Sequence, residues 1–462
     1  MSVQNDAVWR DSAAGLAARL ARRDLSAREA VEAHLERIAE AEPAMSAFIT
    51  VAAETALARA DALDAASHPV GPLHGVPVAV KDLTDTAGIR TTYGSALYAD
   101  HVPAVNDIAV ARIEAAGGIV IGKTNTPEFG FGAVCQNRLA GPTRNPFDMT
   151  LTSGGSSGGA AVAVATGMAP LAHGTDFGGS VRVPASFCGV ASIRPTPGRI
   201  PAPGRKLGWD TLATHGVLAR DTADCALLLG AMAGADLGDP TSLLGDRDDG
   251  SESRLGATVD FGAARVSDAV RARFAEVVGR LEGVCGPIAH AHPDCGDAMA
   301  TFRTLRAAQI RHAYGPLLAQ HGERLTDTVR WNIQAGAGIT ADTYLDAQAA
   351  RTALYRRFVA LFQDIDVLAA PACGVLPWPN EDGEVTAIDG QPVETILDYL
   401  GVTAIVTLIG FPVLTLPVSN AQGLPFGIQL IARPGEERRL IRLGRVLERD
   451  AGFTHRWPTA RG

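Results

Sequence analysis

The chain has no excess of positive charge, no paired cysteines and no unbroken apolar run of membrane length, and each shortage removes a class of function. Forty-one Lys plus Arg against 50 Asp plus Glu leave a net charge of −9, so no basic field draws the protein to nucleic acid or to an anionic membrane. Cys135, Cys188, Cys225, Cys285, Cys295 and Cys373 are scattered without a CxxC pair, which argues against a disulfide framework and a zinc ribbon alike. The opening residues, MSVQNDAVWRDSAAGLAARLARRD, are too charged for a secretory leader, and a cytoplasmic location is expected. No charge occurs between Tyr399 and Ala432, but Gly410, Pro412 and Pro417 interrupt the run. It reads as buried strands broken by turns rather than as a membrane span.

What is present fits a large folded enzyme. Hydrophobic residues at 47% and charged residues at 20% of 462 are globular values, ample for one big core. Helical spacing runs from Ala13 to about Ala41, with a capping box formed by Ser26 and Glu29. Val76 to Val80 reads as a core strand ending in Lys81 and Asp82, Asp107 to Ala116 as a helix, and Ile119 to Ile121 as another strand. Alternating strands and helices predict an α/β chain with a mixed sheet covered by helices on both faces. Asp236 to Ser253 is rich in Gly, Asp and Ser and reads as a surface connection, and helical patterns dominate from Asp268 to about Phe362. One domain over residues 1 to 462 is expected, with a helical elaboration around 240 to 360.

Glycine is abundant, at 50 residues, and it crowds the segment from Leu151 to Ile193, where only Asp176 and Arg182 carry charge. So uncharged a segment must lie inside, and glycine there implies sharp turns or close backbone approach. Gly117 to Thr124 fits the phosphate-loop pattern GxxxxGK[ST], but its middle residues are themselves a strand, so it reads as a helix-to-strand turn with Lys123 at the strand end. Gly154 to Gly158 fits the GxSxG elbow at Ser156, and the pattern fits again at Ser157. The preceding residues 146 to 152 look like a loop rather than a strand, which leaves an α/β-hydrolase esterase as a minor alternative.

Taken together, the block from Ser153 to Pro201 and the segment Val78 to Asp82 resemble the amidase signature family. The resemblance rests on GGSSGG, on GTDFGGS with Arg182 two residues on, on PASFCGV and on IRPTPGR. LHGVPVAVKD, GKTNTPEF and RNPFD upstream and GLPFGIQLIA downstream add to it, covering about residues 26 to 222 and 360 to 449. It implies the amidase signature fold and a Ser-Ser-Lys triad: Ser180 as nucleophile, Ser156 as a relay following a cis peptide bond, and Lys81 as base. It also implies an oxyanion hole from the backbone N–H groups of Phe177, Gly178 and Gly179. Phe177 departs from the Thr or Ile frequent at its position, which predicts a change of pocket shape.

Elementary chemistry agrees with that assignment. A serine hydroxyl needs a neighbouring base, and a lysine serves as one when burial lowers its pKa. Asp176 and Arg182 are expected to form a structural ion pair, His173 to be a core histidine, and Cys188 and Cys373 to be buried small hydrophobes. Trp209, Trp331, Trp378 and Tyr344 are pocket or packing residues. The expected reaction is hydrolysis of the C–N bond of a small aliphatic or aryl carboxylic amide through an acyl-enzyme, with water and the amide as partners, no cofactor and no metal. A homodimer is left open. The family also supplies one component of the glutaminyl-tRNA amidotransferase, its A subunit, which is the alternative function. Residues 370 to 398 do not resemble the carboxyl-terminal motifs of that component, which favours a free-standing hydrolase. The residues of 200 to 215 and 300 to 400 that line the pocket are unassigned.

Overall fold

An eleven-stranded mixed sheet runs through the middle of the computed structural model, which describes residues 8–242, 245, 247–418 and 423–459. The first seven residues of the expected non-leader segment, residues 243, 244 and 246 of the expected surface connection, and residues 419–422 of the uncharged run lie outside these. From one edge to the other the strands are Phe48–Val51, Ile119–Thr124, Pro77–Lys81, Leu171–Asp176, Thr214–Ala219, Ala191–Arg194, Val413–Val418, Phe426–Ile431, Val367–Pro371, Leu255–Ala257 and Ala289–His290. Pro77–Lys81 lies parallel to both of its neighbours, and Leu255–Ala257 parallel to both of its own. The strands between these two parallel flanks run antiparallel. The last two edge strands come from within the mostly helical stretch.

Helices flank the sheet, and the alternation of side chains along each strand shows which face each one covers. A Cβ at Gly216 would meet the Val181 side chain, whereas His215, one residue earlier, faces Asp107 at the start of helix Ile108–Ala115. Helices Gly158–Ala165 and Arg182–Cys188 therefore pack on one face and Ile108–Ala115 on the other. Gly158–Ala165 reads GGAAVAVA and is buried on every side, as expected of a helix without a polar stripe. Its glycines are required by proximity. A Cβ at Gly158 would stand 2.5 Å from Cys135 Cβ, and one at Gly159 2.5 Å from Asn125 N.

The expected capping box forms: Ser26 caps helix Ala27–Met45 and Glu29 returns the bond. The reading of residues 401 to 418 as strands is corrected in its first half, because Gly401–Ile409 is a helix and Val413–Val418 is the strand. The two threonines of this nine-residue run, Thr403 and Thr407, stand four apart, a helical spacing masked by the strand-favouring Val, Ile and Thr content around them. Gly410, at φ +68, ends the helix in a left-handed cap. No helix among the described residues is long and apolar enough to cross a membrane.

Candidate active site

Lys81 ends the strand Pro77–Lys81 and is fully buried. Its Nζ lies 2.7 Å from Ser156 Oγ, 2.8 Å from Ser157 Oγ and 3.1 Å from Thr175 Oγ1. Burial is the chief cause that lowers its pKa to about 7, against weaker upward pulls from Cys135 and Asp176. A substantial fraction of Lys81 is therefore neutral near pH 7, as a base must be.

The two serines differ in what remains to them. Ser157 donates its own hydroxyl hydrogen to the Thr175 carbonyl, 3.3 Å away, so toward Lys81 it acts as an acceptor. Ser156 has no second acceptor among the described residues and faces the cavity, free to accept from Lys81 or to donate to it. Its peptide bond to Gly155 is cis. Residues 146 to 152, read as loop, hold a short hairpin strand, Asp148–Thr152, paired with Arg144–Asn145 outside the main sheet. The core strand that an α/β-hydrolase elbow requires is missing before Ser156.

Ser180 follows a loop held by buried charge. Asp176 and Arg182, both with 0% side-chain exposure, pair at 2.8 Å, and Arg194 Nη1 also donates to the Asp176 carbonyl at 2.9 Å. Burial by itself would raise the Asp176 pKa, but the two guanidinium groups outweigh it and hold the carboxyl well below its usual range. The same carboxylate accepts from Gly179 N at 3.0 Å and Val181 N at 3.1 Å, so the turn carrying Ser180 is drawn around it. Thr403, on the corrected helix, donates to Gly178 O at 2.6 Å and locks the turn from the other side.

This fixes which backbone donors are open. Gly179, at φ +121, is buried and its N–H is spent on Asp176. The N–H groups of Phe177, Gly178 and Ser180 have no acceptor among the described residues, and all three residues line one cavity together with Ser156 and Thr175. The cavity measures about 610 Å³, and its apolar lining includes Phe129, Phe131, Phe177, Phe302, Leu397 and Leu400. Residues Ala202 to His215 and Phe302 to Tyr314 supply much of the remaining lining, so the unassigned pocket residues come from both regions named in the sequence.

Several other expectations meet their outcome here. His173 is fully buried and pairs with His215 at 2.9 Å; burial is the main reason its pKa falls well below the ordinary value. Cys188 and Cys373 are buried free thiols. Trp209 is 81% exposed and Trp331 40% exposed; Trp378 packs on Phe187 and Tyr399, and none of these tryptophans nor Tyr344 lines the cavity. Lys123 sits within its strand, and its amine is taken up by Thr84, Thr86 and Thr91. Ser157 and Thr175 as direct partners of Lys81 were not legible in the sequence, because both contacts depend on strand placement.

Comparisons with known proteins bear on the family and the fold. The Amidase family model matches residues 29–441. Among curated proteins, the A subunit of the glutamyl-tRNA(Gln) amidotransferase of Oleidesulfovibrio alaskensis is 33% identical over 95% of this chain and 96% of its own length. Among solved structures, a bacterial aryl acylamidase of the amidase signature family superposes with a TM-score of 0.88 at 26% identity, covering 96% of this chain and 97% of that one. A chain of a vestigial protein complex that reveals the evolutionary origins of an s-triazine catabolic enzyme also reaches 0.88, at 30% identity over 97% of this chain and 100% of that one. With a family match over nearly the whole chain and relatives of this identity and coverage, the chain belongs to the amidase family, as a member of its amidase signature group.

Proposed function

We propose that the protein hydrolyses the C–N bond of a small carboxylic amide through an acyl-enzyme on Ser180. The observation that carries this reading is a buried lysine, with its pKa lowered to about 7, hydrogen-bonded to Ser156, which itself lines a cavity together with Ser180 and the unpaired backbone N–H groups. Ser180 Oγ attacks the amide carbonyl, and its proton passes through Ser156 to neutral Lys81. The N–H groups of Phe177, Gly178 and Ser180 receive the charge on the carbonyl oxygen; Gly179, expected in that set, acts by shaping the turn instead. Lys81 returns the proton through Ser156 to the departing nitrogen, and water, deprotonated by the same relay, releases the acid. The free thiols of the described residues fit a reducing, cytoplasmic setting.

A second reading has a specific observation behind it. Curated relatives that include the Oleidesulfovibrio alaskensis protein are amidotransferase A subunits, and they support that role at least as well as a free-standing small-amide hydrolase. In that role the same site would release ammonia from glutamine for use by partner proteins. Ammonia release from a panel of aliphatic and aryl amides and glutamine, by the purified chain alone, separates the two. Turnover of a non-glutamine amide without a partner is the expected result. Turnover of glutamine only, and only with the other amidotransferase components added, would replace the first reading with the second.

A further inference from the structure

Arg306, on helix Ala298–His321, is only 9% exposed and lines the same cavity as Ser156 and Ser180. Its Nη1 donates to Asn332 Oδ1 at 2.5 Å, and its guanidinium carbon stands 5.8 Å and 5.9 Å from the ring centres of Phe131 and Phe177. Nε and Nη2 have no acceptor, and no carboxylate lies within ion-pair distance among the described residues. The acids of the cavity are engaged elsewhere: Asp85 with the Tyr93 hydroxyl, Asp107 as a helix cap, Asp210 with Gln309. Burial alone, with no facing acid, draws the Arg306 pKa down to about 10, which still leaves it charged at neutral pH.

The same protein shows what that free edge is suited to. Arg182 presents Nε and Nη2 to the two oxygens of Asp176 at 3.0 and 2.8 Å, and Arg254 presents the same pair to Asp366. In Arg306 the same two nitrogens have no acceptor among the described residues, and the residue lines the cavity. A buried cation without an anion is costly unless a ligand supplies one. The helix relates Arg306 to the turn that carries Ser180. Phe302, one turn earlier, lies so near the turn carrying Ser180 that a Cβ on Gly178 would stand 3.3 Å from its Cζ. One turn further along the axis, about 6 Å, is Arg306.

Resting on the amide-hydrolase reading above, we infer that the substrate carries a carboxylate on its acyl side, as in the monoamide of a short dicarboxylic acid, and that Arg306 binds this carboxylate through Nε and Nη2. Arg306 is thereby a specificity-determining residue. Bidentate pairing favours a planar carboxylate, and the aromatic rings exclude the water that would screen it.

The test compares kcat/KM for glutaramate and adipamate with that for the neutral pentanamide and hexanamide, in the wild type, Arg306→Gln and Arg306→Lys. The wild type should prefer the carboxylated amides by about ten- to a hundredfold. Arg306→Gln should bring the ratio close to one, and Arg306→Lys should keep part of it. Equal hydrolysis of charged and neutral amides by the wild type would overturn the inference while leaving the hydrolase reading intact. If no amide is hydrolysed, that reading fails, and glutarate binding followed by melting temperature decides the inference separately: a rise at millimolar glutarate that Arg306→Gln abolishes supports it, and no rise ends it. Should Arg306→Gln not fold, competitive inhibition of the wild type by glutarate but not by 1-pentanol supports the inference, and equal or absent inhibition overturns it.

Discussion

Lys81 and Lys123 stand on adjacent parallel strands, with Val80 opposite Lys123 and Lys81 opposite Thr124, so side-chain alternation sends the two amines to opposite faces of the sheet. Both are fully buried, and burial lowers both pKa values, to about 7 for Lys81 and about 8 for Lys123. Their partners separate them. Lys81 meets only hydroxyl groups, one of which, Ser156, can donate as well as accept. Lys123 meets the Thr84 carbonyl, which can only accept, along with the Thr86 and Thr91 hydroxyls at 3.0 and 2.9 Å, and it lies in the field of Asp82. A carbonyl and a nearby carboxylate reward the ammonium form, whereas a free hydroxyl tolerates either form. One buried lysine is thus set up to exchange a proton, the other to keep it. The chain has only one further lysine, Lys206, among 41 basic residues, so its positive charge is otherwise carried by arginine, which does not deprotonate in this range.

The sharpest way to break this comparison is to remove each side of it. Ser180→Ala should lower kcat/KM by about 10⁴-fold or more, and Lys81→Met by about 10²- to 10⁴-fold, with circular dichroism unchanged in both. If Lys123→Met were as inactive as Lys81→Met while still folded, the distinction between the two lysines would collapse.

The pH profile comes next in size. Protonated Lys81 cannot accept a proton, so kcat/KM should fall about tenfold per unit below pH about 7 and level off above it. His173→Gln should leave this limb in place, since burial already holds the His173 pKa well below its ordinary value. Loss of the limb in that variant would transfer the base role to histidine.

Ser157→Ala sharpens the comparison within the lysine's own partners. Ser157 accepts from Lys81 because its hydrogen is given to Thr175, so removing it withdraws support from the ammonium form. The limb of the profile should move to lower pH, with a loss of about tenfold in rate from poorer positioning. A shift toward higher pH would show that Ser157 donates to neutral Lys81 instead.

The smallest effect on activity is expected for Lys123→Met, within about tenfold of the wild type, because the residue faces away from the serines. Its effect falls on stability: the Thr84 carbonyl and two threonine hydroxyls lose a buried donor, costing about 1–3 kcal/mol, readable by urea unfolding.

The sequence alone determined the mixed α/β character, the strand that ends in Lys81, the buried uncharged segment and the motifs around Ser156 and Ser180. Those features are local: a β-branched run, a capping box and a stretch of glycine and serine without charge state their own environment. Tertiary structure decided the rest, since each remaining question concerned a partner far along the chain. Lys81 and Lys123 look alike in sequence, each at the end of an apolar run, and differ only through hydroxyls and carbonyls brought in by other segments. Gly401–Ile409 was hidden as a helix because its Val, Ile and Thr content favours strand, while only Thr403 and Thr407, four apart, mark the helical period. The commitment of Gly179 N–H to Asp176 and the open fork of Arg306 follow from the packing of one turn and one helix around a common cavity. Composition records that an arginine is present, and only the fold shows that no acid of the described chain faces it.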